Sequence, residues 1–220
     1  MIARALVVAG LALIVHAEAF AQPTAATREQ LRATAIKARA ALLNHPALAA
    51  FEIESEIQNA IAKATALPAG PNRLARARAA LAPLEATLGP LDEIPSVRLQ
   101  TFLGVTAAEE DKMADTHYHA RYVGALVASL TDDADGESPR TAIPIAMIED
   151  EYAYFDMHLD MQVRPGQRVG REIGGRYYDV WTLKTRSGEE RKVYFDATAM
   201  QDSFARVLKL RGLDVEKPAR

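Results

Sequence analysis

Three short runs hold most of the side chains that could do chemistry. DTHYHAR (115–121) sets His117 and His119 two residues apart, with Asp115 beside them. TDDADGESPRTA (131–142) gathers four acids around Gly136. EDEY (149–152) places three successive acids before Tyr152. A further acid, Asp179, stands among aromatics in YYDVWTL.

Spacing limits what each run can do. Residues two apart on a helix point to different sides, so His117 and His119 cannot share one metal ion from regular helix geometry. His119 shares its side with Asp115 and Tyr122. That is the set on which a hydrolase or metal-dependent centre would draw, together with the acids near Glu149. His117 falls on the stripe of Met113, Ala120, Val123, Val127 and Leu130, at the edge of a core. The plainer reading of both is a histidine bonded within the fold, because nothing nearby completes a metal set or a triad. His119, Asp115 and Glu151 are thus the catalytic candidates, and His117, Tyr152 and Asp179 the binding candidates. No metal site and no cofactor is expected.

A calcium loop of the EF-hand type needs acids at its first, third and fifth positions, glycine at the sixth and a bidentate glutamate at the twelfth. With Gly136 as the sixth, Asp133 and Asp135 fall correctly. Thr131 and Ala142 then occupy the first and twelfth. The run reads as a turn, with Asp and Gly supplying its conformations. Glu149, Asp150 and Glu151 open a short helix, where acids interact favourably with the helix dipole. Asp179 must be exposed or paired, and Arg176 and Lys192 are the partners its hairpin offers. Both alternations of strand 176–185 carry aromatics, so periodicity does not choose its buried face. Motifs of the GxSxG, HExxH, P-loop and GxGxxG types are absent from the sequence.

The elements follow from composition. Alanine makes up 21 of the 68 residues of 22–89, against 4 of the 56 of 142–197, where aromatics concentrate. Alanine favours helix, and aromatic and β-branched residues favour strand. The front predicts three helices. The first has a capping pattern at Thr27–Gln30; the second ends at Pro68-Ala69-Gly70-Pro71; the third bends at Pro83. A connecting segment is expected over 90–105, then a fourth helix from the capping box Thr106–Glu109 to about Leu130. The back predicts an edge strand over 142–148, a helix over 149–159, three antiparallel strands (162–172, 176–185, 191–197) and a last helix near 202–210. The fold class is α+β: about three to four helices (22–89, then a 90–105 linker), followed by a small antiparallel sheet domain with short flanking helices (106–220).

The first residues carry Arg4, the apolar stretch 5–15 and the small-residue site Ala19-Phe20-Ala21. That order is the order of a secretory signal peptide, and eleven apolar residues are too few to span a bilayer. Export to a bacterial periplasm or beyond is expected, with cleavage after Ala21 and no membrane span thereafter. The sequence has no cysteine, which excludes disulfides, thiol nucleophiles, cysteine-ligated zinc and a lipid-bearing cysteine at the cleavage site. Net charge is +3 over 22–89, −11 over 90–160 and +5 over 161–220. The basic part is mild and hairpin-like, without the concentrated patch that nucleic acid requires. The expected partner is a protein or small ligand of the envelope.

The back half also carries a resemblance. DADGESPRTA, IPIAMIEDEYAYF, RYYDVWTLKTRSGEE and KVYFDAT occur in that order, behind a histidine-bearing helix. In this the region 111–204 resembles an uncharacterised bacterial envelope family, domain of unknown function 4919. Members are often lipoproteins, a feature this cysteine-free chain lacks. The resemblance implies no reaction, cofactor or catalytic residue.

Overall fold

The computed structural model describes residues 26–131, 134–157, 161–185 and 189–213. The chain forms two units. Of the described residues, one holds those up to Ala38 together with Ser55–Ser129; the other holds Arg39–Glu54 and those from Leu130 onward.

The first unit is helical. Thr27 and Gln30 close a reciprocal cap, with Thr27 N–H donating to Gln30 Oε1 at 2.7 Å and Gln30 N–H donating to Thr27 Oγ1 at 3.2 Å. That cap opens α1 (Arg28–Leu43), which is followed by α2 (Ala50–Thr65) and α3 (Arg73–Leu88); the end of α1 from Arg39 and the start of α2 up to Glu54 belong to the second unit. Pro83 lies inside α3, which runs on to Gly89, whose φ of 90° ends it. A 3-10 turn (Leu91–Glu93), α4 (Val97–Ala108) and α5 (Met113–Ala128) complete the unit. Leu31 and Ala35 of α1 pack against Tyr122, Ala125 and Leu126 of α5.

Residues 90–105 are therefore packed structure, with Leu91, Ile94, Leu99 and Leu103 buried. The expected capping box at Thr106–Glu109 is the last turn of α4. The cap comes earlier, where Ser96 Oγ accepts from Leu99 N–H at 3.1 Å and Leu99, Leu103 and Ala107 carry the buried stripe. Chain reversal falls instead at Asp111, whose φ is 57°.

The second unit is built on a four-stranded mixed sheet, so the fold is α+β. Its strands are β1 (Ile143–Pro144), β2 (Met161–Ile173), β3 (Arg176–Thr185) and β4 (Glu190–Asp196), in the order β1-β4-β3-β2. β2, β3 and β4 pair antiparallel, while β1 pairs parallel to β4, Ile143 opposite Phe195. Pro144 sits on the edge strand, where a missing N–H is tolerated. Gly174 and Gly175 turn the first hairpin with φ of 61° and 79°; the Ser187-Gly188 turn lies outside the described residues. Two helices accompany the sheet, α6 (Glu149–Met157) and α7 (Thr198–Leu210). α7 starts earlier than its apolar stripe suggests, where Asp196 Oδ1 accepts from Thr198 N–H at 3.0 Å.

Cross-strand register puts Asp179, Trp181 and Leu183 of β3 on one face with Val193 and Phe195 of β4 and Arg168 and Gly170 of β2. α6 packs onto that face through Phe155, whose ring meets Trp181 at 5.3 Å and Phe195 at 5.4 Å. Tyr178 and Val180, on the opposite face, are buried as well. Neither face of β3 is a solvent face, which is why alternation does not single one out.

Candidate binding cleft around Arg168

The described part of the acidic run, 134–142, is a turn folded against the sheet. Gly136 has φ of 71°, donates to Thr141 O and accepts from Tyr194 N–H, each at 2.8 Å. A Cβ at Gly136 would lie 2.9 Å from Val193 Cγ1, so only glycine fits. A hydrogen bond from the Thr141 side chain, with the Glu137 N–H that Asp135 accepts at 2.8 Å, lowers the pKa of Asp135. Glu137 pairs with Arg191 at 2.6 Å. Asp133 lies outside the described residues. Among the described residues no group of three or more metal-ligating side chains comes together.

His119 lies in the first unit and is fully buried. Gln100 donates through Nε2 to the carbonyls of Leu91 and Ile94, at 2.8 and 2.9 Å, which fixes its amide orientation. Its Oε1 therefore accepts from His119 Nδ1–H at 2.7 Å, and Nε2 is the unprotonated nitrogen. Burial pushes the pKa of His119 down to about 4, so the ring is neutral. The helix presents it inward: Met113, expected on the buried stripe with His117, is exposed, while His119 and Tyr122 are buried. Asp115 is exposed in the first turn of α5, and His117 is half-buried.

The acids of α6 differ most from their expected setting. Glu149, Asp150 and Glu151 begin the helix as predicted, yet all three are buried. Glu54, of α2, accepts from the N–H groups of Ile148 and Glu149 at 2.8 and 3.1 Å, capping a helix that begins 95 residues later in the chain. Asp150 Oδ2 accepts from Ala146 and Met147 N–H, and Oδ1 takes Arg39 at 2.5 Å.

Glu151 is held on both oxygens. Oε2 accepts from Trp181 Nε1–H at 2.7 Å, and Oε1 from Arg168 Nη2 at 3.1 Å. The same Nη2 donates to Asp179 Oδ2 at 2.6 Å. Burial raises the pKa of Glu151 to about 8 in spite of the guanidinium. Asp179 thus pairs with Arg168, from across the sheet, rather than with Arg176, which pairs with Asp196, or with Lys192, which stands opposite Thr182.

An open cleft of about 340 Å³ is lined by Arg168, Asp179 and Gln201 together with Phe51, Ile148, Met200 and Phe204. Phe51 and Phe204 meet edge to face at 5.0 Å. A second depression of about 240 Å³, floored by Gly170 and Tyr177, adjoins the first at Asp179 and Gln201. Tyr152 is exposed, its ring 5.9 Å from that of Trp181.

Of the sequence candidates, Glu151 and Asp179 are joined by one guanidinium, and Tyr152 stands against the tryptophan that Glu151 holds. His119 and Asp115 belong to the other unit. Sequence reasoning missed Arg168, Phe51 and Phe204. The one available signal was RPGQ (164–167), a proline-glycine interruption within a strand pattern; there the β2–β3 register shifts, between Val163 and Arg168. Comparison with protein-family models, with curated proteins and with solved structures finds no match.

Proposed function

We propose that this chain is an exported, non-enzymatic binding module of the bacterial envelope, with the Arg168 cleft as its ligand seat. The observation that carries this reading is the cleft itself, which brings four apolar side chains together with the salt-bridged, partly exposed Arg168–Asp179 pair. Apolar walls supply the affinity of small-ligand and peptide sites, and a few fixed polar groups orient the guest. The leader-like N-terminus supports export. No described helix is long and apolar enough to cross a membrane. The alternative, a hydrolase or metal-dependent enzyme using His119, Asp115 and nearby acids, draws less support, because the His119 side chain, whose Nε2 would act as base or ligand, is fully buried and the acids near Glu149 belong to the other unit.

Trp181 is the only tryptophan of the chain and lies behind Arg168, so its fluorescence is the natural readout. Fractions of envelope extract should change that fluorescence saturably in the wild type and leave Phe204→Ala unchanged. If no fraction separates the two proteins, the cleft is not a ligand seat. Mass spectrometry of the exported form should find Gln22 at its start; an intact leader on the mature protein would refute export.

A further inference from the structure

Glu151 and Asp179 accept from the same nitrogen. Arg168 Nη2 lies 3.1 Å from Glu151 Oε1 and 2.6 Å from Asp179 Oδ2, so one guanidinium serves two carboxyls. Among the described residues it is the only cation within ion-pair distance of either. With all three groups ionised the cluster would carry one net negative charge, although the Glu151 side chain is 0% exposed. An uncompensated charge in such surroundings is costly, and retaining a proton removes it.

The contacts show where that proton sits. A side-chain hydrogen bond joins Glu151 to Asp179. Ionised carboxylates only accept, so a hydrogen bond between two carboxyls requires a proton on one of them. Glu151 is the protonated member: it is fully buried, whereas Asp179 keeps 14% of its side chain exposed. Its pKa, raised to about 8 first of all by burial, agrees. Trp181 Nε1–H occupies Glu151 Oε2, which leaves Oε1 as the oxygen that shares Arg168 with Asp179. The groups facing Glu151 are thus Trp181 and Asp179 from β3 and Arg168 from β2. On α6 itself Glu149 is buried, and Asp150 is paired with Arg39.

We propose that Glu151, Asp179 and Arg168 form a one-proton latch between α6 and the sheet. While Glu151 holds the proton, its hydrogen bond to Asp179 ties the helix to β3. When the proton passes to solvent water, Arg168 stays with the buried Glu151. Asp179, the one carboxyl of the two with exposed surface, then turns toward the cleft that it lines. Alkaline surroundings thereby add a free carboxylate to the cleft lining, whether or not the cleft takes a ligand.

The test titrates the wild-type protein, carbon-13 labelled at its carboxyl carbons, by NMR from about pH 5 to about pH 10. The carboxyl carbons of Glu151 and Asp179 should shift together, at one common midpoint, because a single proton serves both. A Glu151 carbon that titrates while that of Asp179 stays still would overturn the latch. So would two carbons that are both fully ionised at the acid end of the range. A second arm follows Trp181 fluorescence in Asp179→Asn, which leaves one carboxyl to one guanidinium. Its midpoint should fall by about one pH unit or more, since a like charge has been removed. An unchanged midpoint would show that burial alone holds the proton, and would overturn the latch as well. Should Asp179→Asn fold poorly, the NMR titration decides by itself, since it needs no variant.

Discussion

Trp181 donates its indole N–H to Glu151 at 2.7 Å with both side chains buried, which sets the chain's only tryptophan directly against one carboxyl. Burial raises that carboxyl from 4.5 to about 8. The folded protein therefore holds a proton that the unfolded chain releases between those values. Stability should fall as pH rises through that window and level off above it. Trp181 fluorescence should titrate near pH 8, and Glu151→Gln should remove both the titration and the associated slope of melting temperature against pH. A flat fluorescence profile from pH 6 to 9 in the wild type would show that Glu151 is ionised throughout.

His119 behaves in the opposite sense. Its folded pKa of about 4 lies below the ordinary 6.5, so the unfolded chain binds the extra proton between the two. The stability it supports is whole above pH 6.5 and is lost as pH falls toward 4. His119→Ala should cost about 3 kcal/mol, since it opens a cavity and strands the Gln100 oxygen in the core. Denaturant unfolding at pH 7 checks the cost, and the same measurement at pH 5 should give a smaller difference from the wild type.

Asp150 neutralises Arg39 and accepts two backbone N–H groups, all within buried surroundings. Asp150→Ala should destabilise by about 3–5 kcal/mol, because it removes the carboxylate that faces a buried guanidinium and accepts from two buried backbone N–H groups. The double variant Arg39→Met, Asp150→Ala should recover part of that loss. A double change as costly as the sum of the two singles would mean that the pair is not coupled.

Calcium at millimolar concentration should leave the melting temperature almost unchanged, since the 131–142 turn lacks the twelfth-position glutamate and stabilisation requires a Kd well below the ligand concentration. Asp135→Ala should lower the melting temperature only slightly, as for a lost side-chain cap. Gly136→Ala should cost more, through its positive φ and its approach to Val193. A calcium-induced shift of many degrees that Asp135→Ala abolishes would establish a true site.

Much of the scaffold was readable without coordinates because its signals are local. Thr27 and Gln30 cap each other three residues apart, Pro144 marks an edge, and Gly174-Gly175 marks a hairpin. The cleft was not readable, because its parts are joined by pairings that no local pattern encodes. Phe51, Glu151, Arg168 and Phe204 come from three helices and a strand. The acids of α6 looked like solvated first-turn residues because sequence reports charge and position but not burial. Their partners Arg39 and Glu54 lie about a hundred residues upstream. For the same reason 90–105 read as a connection: its prolines are visible, whereas the burial of Leu91 and Ile94 is not.

The cap that Glu54 places on α6 has a consequence for synthesis. Glu54 leaves the ribosome 95 residues ahead of Glu149, whose N–H it will bind. At roughly 5–20 residues per second that is a wait of roughly 5–20 s. Throughout it, Arg39 and Glu54 are ordinary hydrated charges on an unfinished chain. The sheet unit therefore has no complete vectorial intermediate. A fragment beginning at Leu130, however well it preserves the strands, would lack the two side chains that close the start of its first helix.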